Sequence, residues 1–173
     1  DSPNPAPTRR GVSTWRPRQR SSRIPGRRPT PNRKDNTLTT EHATEPAQLL
    51  AEYLVGRRIT AADDVTLTLD DGTTLELYES AQDCCAGAYG EWEILDPDRL
   101  EAAITSVEYD EHSYHDGDTN VTTCKITILH NQNPVALGEG YAHAGNGGYY
   151  FSILSLKITV NGRAVHDGEL ICS

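Results

Sequence analysis

The sequence predicts a mainly β domain: a single antiparallel β-sandwich or curled half-barrel with one N-terminal helix, set behind a disordered basic arm. Three observations carry that expectation. Alternations of apolar and polar residues with a period of two recur from Val65 onward, and that period puts alternate side chains on opposite faces of a strand. Turn pairs suited to tight hairpins, Asp71-Gly72 and Asn161-Gly162, punctuate these runs. Ahead of them, residues 1–34 carry nine arginines and one lysine against Asp1 alone, and seven of the ten prolines precede Asn32.

Residues 1–40 read as the arm and residues 41–173 as the β domain. The arm has neither helical nor strand periodicity, and its low apolar content with a net charge of +9 opposes a packed core. The remainder carries six basic and 24 acidic residues, a net −18, so the whole chain stands at −9. The two parts should attract each other weakly, and salt should screen that attraction. The chain contains no methionine, so a start further along, at Val12 or Leu38, is a competing expectation for the natural arm. Trp15 lies among Arg16, Arg18 and Arg20, a grouping that can hold a phosphate backbone and stack on a base. Nucleic acid is therefore a partner only through the arm.

The helix opens at Thr44-Glu45-Pro46-Ala47-Gln48. Thr44 can cap, Pro46 fits the first turn and Gln48 lies near the capping-box position. Leu49, Leu50, Tyr53 and Leu54 form its apolar stripe, and Gly56 ends it. Arg57-Arg58-Ile59 leads into the first strand. Val65, Leu67 and Leu69, then Leu75 and Leu77, supply the buried faces of a hairpin turning at Asp70-Asp71-Gly72-Thr73.

Trp92 and Ile94 read as a strand that Asp96-Pro97-Asp98 breaks. Ile104 to Tyr109 favours a strand by its branched residues. His112 to Asn120 reads as a polar loop. Val121 to His130 is a strand with Cys124, Ile126 and Ile128 on one face, followed by a turn at Asn131-Gln132-Asn133-Pro134. Val135 to Leu137 begins another strand, and Gly138 to Gly148 reads as loop. Tyr149 to Val160 is long, apolar and branched, as a central strand should be. Ala164-Val165 and Leu170-Ile171 add short edge pieces.

Four cysteines, without a C-x-x-C pair, do not make a disulfide framework, and reduced thiols are expected. Adjacent cysteines on a strand point to opposite faces. One of Cys84 and Cys85 is therefore expected in the core and the other on a turn. Cys84, Cys85 and Cys124 with His143 or His130 are the candidate metal ligands, since zinc takes four such ligands in a tetrahedron, although their spacing fits no standard zinc motif. Nucleophilic chemistry at the pair is disfavoured by Asp83 and Glu91, because a thiolate needs a basic neighbour. Asp116-Gly117-Asp118-Thr119-Asn120 resembles the start of a calcium loop. It then departs at Val121 and Thr127, and reads as an acidic solvated loop. His143 to Tyr150 could cradle a ligand on its glycines and offer tyrosines as a contact surface, but lacks the strand–loop–helix setting of a phosphate loop.

Leu69-Asp70-Asp71-Gly72-Thr73, Asp83-Cys84-Cys85-Ala86 and Asn146-Gly147-Gly148-Tyr149-Tyr150 resemble a family of small uncharacterised proteins seen chiefly in actinobacterial phages and their hosts. The resemblance covers about Leu49 to Val165 and leaves the arm outside. It implies a small β domain in a phage or prophage setting, and it makes no residue catalytic.

The expected function is a non-enzymatic binding module, a phage or prophage accessory protein whose partner is a phage or host protein. No cofactor and no catalytic residue is expected. The first alternative is a zinc- or thiol-dependent protein built on Cys84, Cys85 and Cys124. The second is a virion-associated nucleic-acid binder acting through the arm. No apolar run approaches the ~20 residues of a membrane span, so no membrane partner is expected. The expected location is the host cytoplasm, with the virion as the alternative.

Overall fold

The computed structural model describes residues 46–173, and the arm and the Thr44 cap lie outside them. The helix α1 (Pro46–Leu54) leads nine strands: β1 (Ile59–Ala62), β2 (Thr66–Leu69), β3 (Thr74–Gln82), β4 (Gly87–Ile94), β5 (Ser106–Asp116), β6 (Thr119–His130), β7 (Asn133–His143), β8 (Ser152–Val160) and β9 (Arg163–Cys172). They form two antiparallel sheets, one of five strands in the order β1-β2-β3-β8-β9 and one of four in the order β4-β7-β6-β5. The sandwich is therefore the architecture, and no closed barrel forms.

Local chemistry explains the hairpins. The Leu69 N–H donates to the Thr73 carbonyl and the Gly72 N–H to the Leu69 carbonyl. Gly72 sits at φ +80, the left-handed position that a three-residue hairpin loop needs. At the β8–β9 turn, Asn161 and Gly162 both have positive φ, 51 and 77, which matches the twist of the flanking strands. The core lies between the sheets, with Leu67, Leu69, Leu75, Leu77, Leu154, Leu156 and Ile158 from one and Trp92, Cys124, Ile126 and Ile128 from the other. Leu50 and Leu54, one helical turn apart, add the buried face of α1. Gly56 ends the helix at φ +84 and donates its N–H to the Ile104 carbonyl. On one flank the Tyr109 hydroxyl, on edge strand β5, donates to the Leu170 carbonyl of edge strand β9, 3.2 Å away. On the other the backbone N–H of Trp92 donates to the Asp64 carbonyl.

Five expectations are corrected. Val65 is 42% exposed, because the Asp63 carboxylate accepts the N–H groups of Val65 and Thr66 and holds Val65 in a turn before β2. The segment His112–Asn120 is no loop: β5 runs to Asp116 and turns at Gly117-Asp118 into β6. From Asp110 onward β5 is exposed on both faces, so its ladder to β6 holds it and no hydrophobic alternation marks it. The acidic segment with the calcium-like pattern is that tight hairpin turn, with Gly117 at φ +65 and Asp116 paired to Thr119. The Gly138–Gly148 segment is strand as far as His143. The Ala164–Ile171 pieces are one ten-residue edge strand, β9.

The glycines of β7 explain the fourth correction. Gly138 and Gly140 point inward, opposite Trp92 and Gly90 of β4. A Cβ on Gly138 would come within 2.6 Å of the Trp92 ring, and one on Gly140 within 2.5 Å of Leu154 and 2.6 Å of the Cys124 sulfur. The glycines mark close packing inside a strand, where the neighbouring side chains fill the volume.

Candidate functional site

Topology brings two sequence motifs to one corner. β3 pairs with β8 in one sheet and β4 with β7 in the other. The crossings β3→β4 and β7→β8 therefore leave the same end of the sandwich, so the cysteine turn meets the glycine-rich loop. The Asp83 N–H donates to the Phe151 carbonyl and the Asn146 N–H to the Cys85 sulfur, 3.3 Å away. The Cys84 thiol beside it, with Cys85 and Asp83 nearby, holds the Tyr150 phenol above its ordinary pKa. Buried Ser152 pins the corner: its hydroxyl lies 2.8 Å from the Gly87 carbonyl and 3.0 Å from the His143 carbonyl, and it accepts the His143 N–H.

Both Cys84 and Cys85 are exposed, against the expectation that one lies in the core. The turn closes with the Ala86 N–H on the Asp83 carbonyl, and Cys84 takes φ +45. The pair is therefore not on a strand, and the alternation of faces does not apply. Cys124 is buried, 4% exposed, on the inner face of β6 opposite Gly140. His143 lies three rungs further along, opposite Val121, and on the outer face. The sheet separates Cys124 from His143, and the four candidate ligands do not converge. The His130 ring donates Nδ1–H to the Ala103 carbonyl, 2.7 Å away. No group of three His, Cys, Asp or Glu side chains among the described residues is placed to hold a metal ion.

Burial, with Glu111 nearby, pushes the Cys124 thiol up to about 12. The Glu169 carboxylate beside Cys172 raises that thiol as well. A raised pKa leaves less reactive thiolate at neutral pH. Thiol labelling of the folded protein at pH 8 should therefore modify Cys84 and Cys85 first, Cys172 more slowly and Cys124 only after denaturation. Mass spectrometry of the digested protein checks this, and early modification of Cys124 would show that its face is open.

The feature that sequence reasoning missed is the outer face of the four-stranded sheet. Its register lines up three rows across β4, β7, β6 and β5: Gly87–His143–Val121–Tyr114, Tyr89–Tyr141–Thr123–His112 and Glu91–Glu139–Lys125–Asp110. Tyr89 and Tyr141 stack with ring centroids 5.0 Å apart, and Tyr141 and His143 follow at 5.8 Å. His112 and Tyr114 stack at 5.7 Å. Burial, with Tyr114, Tyr89 and Asp116 nearby, holds the Tyr141 phenol above its ordinary pKa. The second and third rows border a depression of about 440 Å³. Tyr89 is 62% exposed, and Tyr149 on the adjoining loop is 88% exposed. The signal was present in Gly138-Glu139-Gly140-Tyr141-Ala142-His143, where small residues alternate with functional ones.

Residues 52–156 match the family model described as Domain of unknown function (DUF7448). The chain belongs to the DUF7448 family. The match lies inside the Leu49–Val165 stretch that carries the resemblance, and it takes in the corner, the cysteine turn and the aromatic face. Part of α1 and all of β9 fall outside the span matched by DUF7448. No curated protein and no solved structure matches the chain. No helix among the described residues is long and apolar enough to cross a membrane.

Proposed function

We propose that this domain works by binding, without catalysis, and that the outer face of the four-stranded sheet is its contact surface. One observation carries the reading: the stacked rings of exposed Tyr89 and half-buried Tyr141 border a depression on the outer face of the four-stranded sheet. Large aromatic side chains are the usual energetic anchors of binding surfaces, because they bury much area for little lost rotamer freedom. The setting is that of a phage or prophage accessory protein in the host cytoplasm, with a phage or host protein as partner. That part rests on the sequence resemblance.

The zinc- or thiol-dependent reading retains only the exposed Cys84–Cys85 turn, since Cys124 lies inside the sandwich. The nucleic-acid reading concerns residues outside those described.

A photo-crosslinking residue placed at position 89 of the full chain should capture a specific protein from phage-bearing host cells. The same residue at exposed Val165 on β9 should not. Replacing Tyr141 with serine should remove the adduct at position 89 while leaving the unfolding midpoint near that of the parent. Equal capture from positions 89 and 165, or an adduct indifferent to Tyr141, would sink the assignment of this face.

A further inference from the structure

We infer that this face recognises a cationic peptide segment, an arginine-bearing one above all. The inference rests on the reading of the face as the contact surface and adds the chemistry of its partner. Glu91 and Glu139 are directly opposite each other on β4 and β7, both exposed and both outward. Like charges directly opposite across a strand pair repel and destabilise the pairing. The ion pairs among the described residues are Arg57–Asp71, Arg99–Asp96 and Lys157–Glu76. Neither Glu91 nor Glu139 is in an ion pair among the described residues, although Lys125 stands directly opposite Glu139 on β6. Asp110 completes the row beyond Lys125 and is also in no ion pair among the described residues.

Two residues along, on the same face, Tyr89 and Tyr141 occupy the corresponding positions on the same two strands. Two adjacent carboxylates and two adjacent phenol rings therefore share one block of the surface, at the edge of the depression. A guanidinium suits both halves. Its fork pairs with carboxylates in two parallel hydrogen bonds, and its flat face stacks on an aromatic ring. An ammonium is a point charge and uses the block less fully. A bound cation would also relieve the Glu91–Glu139 repulsion. Nucleic acid, a polyanion, would be repelled by the same row. A neutral sugar could stack on the rings but would leave the paired carboxylates uncompensated.

The test is calorimetric titration of the full chain with a short peptide of alternating arginine and serine, and with the same peptide carrying citrulline for arginine. Citrulline keeps the shape and removes the charge. The arginine peptide should bind and the citrulline peptide should not. Glu91→Gln combined with Glu139→Gln should weaken binding by about ten-fold or more, which is about 1.4 kcal/mol. The same double variant should unfold at an equal or higher midpoint, because the repulsion is gone. Glu52→Gln with Glu101→Gln, an equal change in net charge away from the face, should leave the affinity within about two-fold, as diffuse surface charge contributes little.

No binding of the arginine peptide, equal binding of the citrulline peptide, or equal weakening by the two charge variants would overturn the cationic assignment. The contact-surface reading is judged separately, by the crosslinking at position 89. If that crosslinking succeeds while the arginine peptide fails, the face stands and its ligand is of another class.

Discussion

Replacing Trp92 with alanine is expected to destabilise the domain by about 3–5 kcal/mol, the usual range for deleting a buried large aromatic ring. Trp92 is 6% exposed and projects inward from β4. It lies over Gly138, where even a single added carbon would come within 2.6 Å of the ring. With the ring gone, the backbone of β7 would face a void that no side chain at position 138 can fill, and the cost depends on how little such a site can collapse. Phenylalanine at the same position should cost less than its lost volume suggests. The Trp92 Nε1 is buried with no hydrogen-bond partner among the described residues, and removing an unsatisfied donor recovers part of its desolvation cost. Urea unfolding of the two variants checks both statements. A Trp92→Ala midpoint close to that of the parent would mean that the ring does not support the core.

A double-mutant cycle at Gly140 and Leu154 tests how the two sheets meet. Leu154→Ala should cost about 2–5 kcal/mol, since the side chain is fully buried on β8. Gly140→Ala should cost about 1–3 kcal/mol as overpacking, because the new carbon would come within 2.5 Å of Leu154 and 2.6 Å of the Cys124 sulfur. The two changes act on the same space, so the pair should cost less than the sum of the singles, by about 0.5–3 kcal/mol. Part of the penalty should remain, from the Cys124 contact. Strict additivity in the unfolding free energies would show that Leu154 does not pack on Gly140, and that the facing of the sheets is misread.

The calcium-like and glycine-rich segments owe their conformations to contacts of different range. Tight turns are decided by residues in contact along the chain, so Asp71-Gly72 and Asn161-Gly162 could be read directly. Gly117-Asp118 carries the same kind of turn chemistry, but the acidic residues beside it suggested a solvated loop. In β7 the glycines looked like loop because their reason for being small lies on other strands, at Trp92, Leu154 and Cys124. Alternation of faces, which predicts one cysteine of the pair in the core, holds only on a strand; the positive φ of Cys84 in a turn removes that constraint.

By itself the sequence determined the helix stripe of Leu50 and Leu54, the Leu67–Leu77 hairpin, the inward face of Cys124, Ile126 and Ile128, and a mainly β class. These follow from spacing within one element, where burial imposes a period of 3.6 or of two. Only the tertiary structure decided that the cysteine turn meets the glycine-rich loop at one corner. It alone aligned Tyr89 with Tyr141 and Glu91 with Glu139, residues separated by about fifty positions. Such rows depend on which strands become neighbours and in what register, and no local periodicity carries that information.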